Sequence, residues 1–248
     1  MLEFIDSYCM IGNRVSPREG SLQKMEDYFD VMNRCDITKS IVFHGVAKEG
    51  DYRLGNNMLT DIIKDNPRFL GQWIVVPNCT GEFLDSDNLL KQMRYNNIKT
   101  LRILPKSMGF SLKPYASRGL FSTLEQYQIP IFVDSIEIGW DELYAFLKDY
   151  PKLPLILCNT GCESARKLFP ILNSCQNLYI ETSTYIAHNG ISEFVNKFGA
   201  DRLIFGSGLP NSCVTGAVAM IYYSDISEKE KKKIAKENIT MLLEEAVL

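Results

Sequence analysis

Histidine is nearly missing from this chain. Its 248 residues include only 2, His44 and His188, too few for a site built on several imidazoles. The 7 cysteines stand at 9, 35, 79, 158, 162, 175 and 213, with no Cys-x-x-Cys pair among them. This odd, scattered set predicts reduced thiols and a cytoplasmic location. No window approaches ~18 consecutive apolar residues, so no membrane span is expected. The opening "MLEFIDSYCM" lacks a basic segment and a long apolar one, so no signal peptide is expected either. Charge of one sign is also scarce: the formal net charge is −3. Nothing in that balance draws the chain to nucleic acid or to anionic lipid. The one charge run, "SEKEKKKIAKE", mixes signs at helical spacing and reads as a solvated helix face. No Ser-His-Asp order, P-loop or GxGxxG fingerprint occurs.

What is present is a regular alternation. Eight short apolar segments recur: "LEFIDSY", "KSIVFHG", "FLGQWIVVP", "KTLRILP", "IPIFVDS", "LPLILCNTG", "NLYIETS" and "DRLIFGSG". Amphipathic stretches lie between them. "SLQKMEDYFDVMNRC" places Leu22, Met25, Phe29 and Met32 on one face, and "NNMLTDIIKDNP" does so with Met58, Leu59, Ile62 and Ile63 before Pro67. "WDELYAFLKDYP" and "ESARKLFPILNS" follow the same pattern. The last stretch opens at Ser227 and carries Ile234, Ile239, Leu242 and Leu243. Strands that are apolar throughout and alternate with helices predict a parallel sheet covered on both faces. Eight units in this length predict one α/β domain over residues 1–248, a single (β/α)8 barrel. The predicted strands are 4–8, 40–44, 70–76, 100–104, 130–134, 154–158, 177–182 and 202–206.

Barrels of this kind carry their chemistry where the strands end. The residues there are Asp6, Tyr8 and Met10, His44, Arg102, Asp134, Asn159, Glu181 and Ser183, and Ser207 with Gly208. His188 follows in the loop after the seventh strand. Alternation along the strands turns Cys9 and Cys158 away from the site. Cys162 flanks Asn159 on the other side.

The chain resembles the amidohydrolase superfamily, in its amidohydrolase-related branch. "FGADRLIFGSGLP" resembles the family phrase around the eighth strand, "FIDSYCMIG" the first-strand phrase, "NLYIETST" the seventh strand, and "DISEKEKKKIAKENITMLL" the closing helix with its Glu-Asn. The resemblance runs through the chain in order and implies the barrel fold and a hydrolase ancestry. It also implies where metal ligands would stand. The family's two first-strand histidines fall on Tyr8 and Met10, its fifth-strand histidine on Asp134, its sixth-strand histidine on Asn159, and its eighth-strand aspartate on Gly208. All five positions differ from the family's pattern. Zinc wants several nitrogen, oxygen or sulfur ligands at about 2.0–2.3 Å. A thioether is a poor substitute for imidazole, and a glycine offers no side chain. The expectation is therefore no metal ligand set and no cofactor.

Two functions remain open on the sequence. One is a small-molecule binder or vestigial, non-metal member without turnover. The other is a metal-independent hydrolase or lyase acting on a small carboxylated or cyclic substrate. In the second, Asp134 would be a general base, Arg102 would grip a substrate carboxylate, Tyr8 would donate to an oxyanion, and His44 or His188 would titrate near neutrality. Asn159, Glu181, Ser183, Ser207 and His188 complete the candidate ligand-binding set. The partner expected is a small organic acid, with Arg102 as its anchor and Asp134 steadying the guanidinium. Arg102 with Asp134 is equally readable as a structural ion pair. Homo-oligomer formation is left open.

Overall fold

The computed structural model describes residues 2–12, 22, 24–161 and 164–247. Cys162 lies outside these described residues. Eight strands, β1 (Phe4–Ile11), β2 (Ile37–His44), β3 (Phe69–Ile74), β4 (Thr100–Ile103), β5 (Ile131–Asp134), β6 (Leu155–Cys158), β7 (Leu178–Glu181) and β8 (Leu203–Ile204), lie side by side in chain order. Every neighbouring pair is parallel. The ring closes between β8 and β1. Ser7 N–H donates to the Phe205 carbonyl at 3.0 Å, Met10 N–H to that of Leu209 at 2.8 Å, and Gly208 N–H to that of Tyr8 at 3.1 Å. All eight predicted strands are present, and the fold is a single (β/α)8 barrel.

Helices α1 (Met25–Arg34), α2 (Gly45–Glu49), α3 (Tyr52–Lys64), α4 (Ser86–Tyr95), α5 (Pro114–Gln126), α6 (Trp140–Asp149), α7 (Ala165–Ser174), α8 (Gly190–Phe198) and α9 (Val214–Tyr222) fill the connections. Strand alternation sorts the apolar residues into two layers. Ile41, Phe43, Ile74, Phe132, Ile156 and Ile204 point into the barrel. Val42, Trp73, Leu101, Val133, Leu157 and Leu203 point outward and meet the helices. On α3 the inner face is Gly55, Asn56, Leu59 and Thr60. Met58, expected on that face, is exposed instead, because it lies about a quarter turn round from Leu59.

The apolar spacing of the closing stretch predicts one helix from Ser227. Ser227 does cap it, in a capping box with Glu230. The helix then divides into α10 (Glu228–Lys232), a π-turn over Lys233–Glu237, and α11 (Asn238–Glu245). In the π-turn, Asn238 N–H reaches back to Lys233 instead of Ile234. The Ile234 carbonyl is thereby released and accepts the Phe205 N–H at 2.9 Å. The Asn238 side chain donates to the Ala200 and Leu203 carbonyls at 2.8 and 2.7 Å. One extra residue in the helix thus ties it to both ends of the short strand β8. Ile239 and Leu242 of α11 join the inner apolar layer. Among the described residues, no helix is long and apolar enough to cross a membrane.

Candidate functional site

β4 and β5 are neighbours, with Arg102 paired to Phe132 in register. Both Arg102 and Asp134 have inward parity, so their side chains meet inside the barrel. Arg102 Nη1 donates to Asp134 Oδ1 at 2.8 Å, and Nε donates to Gln72 Oε1 at 2.7 Å. The guanidinium packs against two rings, its carbon 4.5 Å from the centre of Tyr8 and 4.4 Å from that of Phe43. Its relative exposure is 0%, and that of Asp134 is 2%. These two candidates come together as a sealed ion pair.

A second cation completes the cluster, and no pattern in the chain announces it. Lys48, on the short helix α2, donates to Asp134 Oδ2 at 2.7 Å and to Tyr8 Oη at 3.2 Å. Tyr8 donates to Asp134 Oδ2 at 3.3 Å and accepts from Asn159 Nδ2 at 2.9 Å. A phenol offers one donor and two acceptor positions. All three are used here, so Tyr8 has none left for an oxyanion. The five positions that the resemblance singles out do gather at one place. Met10 shares the inner layer with Tyr8. Asp134 and Asn159 bond the Tyr8 hydroxyl. Gly208 bonds the Tyr8 carbonyl. Gly208 has φ +70°, and a Cβ there would stand 2.9 Å from Ser212 Oγ.

The charges follow from this geometry. Burial works most strongly against the Arg102 cation, but the Asp134 carboxylate and the other groups around it together outweigh burial and the guanidinium is pushed up. Burial likewise works against ionised Asp134. Arg102 and then Lys48 outweigh it and hold the carboxyl below the usual range. Such a carboxylate is a weak base. Burial pushes the Tyr8 phenol up.

Cys158 does not face away as strand alternation predicts. The inward residues of β6 are Ile156 and Cys158, and Arg102 Nη2 lies 3.8 Å from Cys158 Sγ. Counting parity back from Asn159 misplaces it. Asn159 has left the strand, with φ +55°, and swings its amide round to Tyr8. Burial holds the Cys158 thiol well above its ordinary value, so it is no nucleophile. Cys9 faces outward as expected.

The remaining candidates stand apart. His44 Nδ1 accepts the Val46 N–H at 3.1 Å and caps α2. Burial lowers its pKa and favours the neutral ring. A Cβ on Gly12 would fall 2.2 Å from His44 Nε2, so only glycine fits over that ring. His188 is exposed beside Asn189 and does not reach the cluster. Ser207 and Glu181 belong to a second buried group. Ser207 donates through N–H and Oγ to Asp6 at 2.7 and 2.6 Å. Ser183 donates through N–H and Oγ to Glu181 at 2.5 and 2.9 Å. Burial pushes Asp6 up to about 6 and Glu181 up to about 7, with those hydrogen bonds opposing it. Among the described residues, no group of three or more His, Cys, Asp or Glu is placed to hold a metal ion.

Comparison with known proteins adds the lineage. An uncharacterised TIM-barrel protein from Bordetella bronchiseptica superposes with a TM-score of 0.76 at 15% identity, covering 99% of both chains. 2,6-Dihydroxybenzoate decarboxylase from Rhizobium gives 0.75 at 14%, covering 98% of this chain and 99% of the other. 5-Carboxyvanillate decarboxylase from Novosphingobium aromaticivorans, complexed with manganese and 4-hydroxy-3-methoxy-5-nitrobenzoic acid, gives 0.79 at 16%, covering 98% and 96%. At these identities the likeness is one of fold. Comparison with curated proteins gives no match. The amidohydrolase sequence profile matches residues 17–244, which is most of the chain. This chain belongs to the amidohydrolase family.

Proposed function

We propose that this protein is a metal-independent, non-hydrolysing member of its family, a vestigial or ligand-binding barrel. The carrying observation is the sealed Arg102–Asp134 pair with Lys48 on the second carboxylate oxygen. The one carboxylate of the cluster is already neutralised by two cations. A divalent ion there would meet the like charges of Arg102 and Lys48, with a phenol, an amide and a thioether as the other nearby groups. These residues do not fit a divalent metal, and no step is derived through one. A metal-independent hydrolase or lyase would need Asp134 to collect a proton. Both its oxygens are engaged and its pKa is held down, which counts against that reading.

A small organic acid remains the ligand class of choice. The related decarboxylase from Novosphingobium aromaticivorans holds a substituted benzoic acid. At this mouth the reachable cation is Lys48, whose side chain is 25% exposed, whereas Arg102 is sealed. The test is elemental analysis of protein purified without chelator, joined to thermal unfolding with added manganese or zinc. The expected result is well under one equivalent of metal and no metal-dependent rise in Tm. Stoichiometric metal that is lost in Asp134→Asn would overturn the proposal.

A further inference from the structure

A cavity of small-ligand size lies away from the barrel centre. It lies one layer outward, between α3, the outer face of β3 and the loop that enters α4. Its volume is about 390 Å³, and Trp73, Phe83 and Leu84 form its apolar walls, with Arg53, Asn57 and Glu82 at its edges. That volume is in the range of small-molecule sites, about 300–1,000 Å³. Arg53 and Asn57 belong to the first turns of α3, and the loop follows the C-terminal end of β3. The cavity therefore opens on the face where barrels of this class bind their ligands.

Its walls are fixed before any ligand arrives. Trp73 is nearly buried, and its Nε1 donates to Thr60 Oγ1 at 3.1 Å. The Asn56 side chain clamps Ile74 through both N–H and C=O, at 2.9 and 2.7 Å. Phe83 N–H is held by Asn78 Oδ1 at 3.1 Å. Tyr52 packs edge-on against Phe83, ring centres 5.6 Å apart. Asn57 and Gln92 also line the cavity, and their side-chain amides can bond an amide or hydroxyl group of an occupant.

We infer that this cavity is a binding site for a small, uncharged aromatic molecule carrying an amide- or hydroxyl-type group. The aromatic walls favour a flat ring, stacked or edge-on. One cation, Arg53, and one anion, Glu82, share the rim, so neither charge sign is favoured. The site is independent of the Arg102 cluster and of what the mouth binds.

Benzamide is a suitable probe, with benzoate and benzylammonium as its charged counterparts. In Lys48→Ala, which removes the reachable cation of the barrel mouth, calorimetric titration should show saturable benzamide binding, with either charged probe about tenfold weaker. In a Trp140→Phe background, where Trp73 is the remaining tryptophan, its emission should change along the same curve. Leu84→Trp fills the cavity and should weaken benzamide at least about tenfold. Should that variant fail to fold, Phe83→Ala removes one wall and should produce a similar loss. The inference is overturned by any of three results: no saturation, unchanged affinity in the variant that folds, or tighter binding of a charged probe.

Discussion

Arg102 and Asp134, on adjacent strands, meet at 2.8 Å with the guanidinium fully buried and the carboxylate nearly so. Breaking such a pair on one side leaves the other charge stranded, at a cost of about 3–5 kcal/mol. Arg102→Ala is therefore expected to destabilise the fold by that amount. The geometry moves the expected effect of this change from ligand affinity to stability. Replacing both residues with apolar ones, Arg102→Met with Asp134→Leu, should cost less than Arg102→Ala alone. Urea unfolding of the three proteins checks this. A double variant less stable than Arg102→Ala would show that the pair contributes more than the removal of its own charges.

The buried carboxyls Asp6 and Glu181 make stability depend on pH. Their folded values, about 6 and about 7, lie above the ordinary 3.8 and 4.5. The fold thus holds their protons more tightly than the unfolded chain does. The stability this contributes is complete below the unfolded values and is lost as pH rises through the folded ones. Stability should fall between about pH 4 and about pH 7. The fall should amount to a few kcal/mol, since each tenfold change in proton affinity is worth roughly 1.4 kcal/mol. Asp134, held low, has the opposite sign: its contribution is present above the usual carboxylate range and lost as pH falls. Glu181→Gln should flatten the upper part of the fall. An unchanged slope in that variant would place the titrating group elsewhere.

The barrel was legible because its signal is redundant. Every strand carries apolar residues of both parities, and every interval carries a helical face, so small boundary errors do no harm. The centre was less legible. Lys48 sits in "HGVAKEG", a helix of five residues, too short to show a period. Its approach to Asp134 is set by how α2 folds back over the strand ends. The parity of Cys158 was lost because Asn159 adopts a left-handed conformation that no strand pattern announces. The π-turn was not announced either: the buried pairs Ile234 with Asn238 and Ala235 with Ile239 are each four residues apart, as on a regular helical face.

Asn238 provides a test of that π-turn. Its side chain donates to the Ala200 carbonyl before β8 and to the Leu203 carbonyl within it, while the turn presents the Ile234 carbonyl to Phe205. Asn238→Ala removes both donors and leaves the buried Leu203 carbonyl unpaired, while the Ala200 carbonyl keeps the Leu203 N–H at 3.2 Å. An unpaired buried acceptor costs about 1–3 kcal/mol, and a loss in that range is expected. Hydrogen exchange should show where it falls: Phe205, Ser7 and Met10 amides, which join β8 and its loop to their neighbours, should lose protection first. Uniform loss across the barrel would mean that β8 is not held separately by this helix.

Lys48 distinguishes a structural centre from a binding one. Its ammonium bonds Asp134 and Tyr8 and lies 5.8 and 5.6 Å from the Tyr8 and Phe43 ring centres, yet its side chain keeps 25% of its exposure. Water screens a cation so placed. Lys48→Ala should then cost no more than about 1 kcal/mol, well below the loss in Arg102→Ala. Ligand binding should show the reverse order. A small carboxylate at the mouth can pair with the reachable ammonium but not with the sealed guanidinium. Benzoate should raise the Tm of the wild type by mass action, and the rise should vanish in Lys48→Ala. To separate this from the outer cavity, the titration is repeated in Leu84→Trp, where the benzoate effect should persist. A benzoate-dependent rise that survives in Lys48→Ala and disappears in Leu84→Trp would take the organic acid away from the barrel mouth altogether.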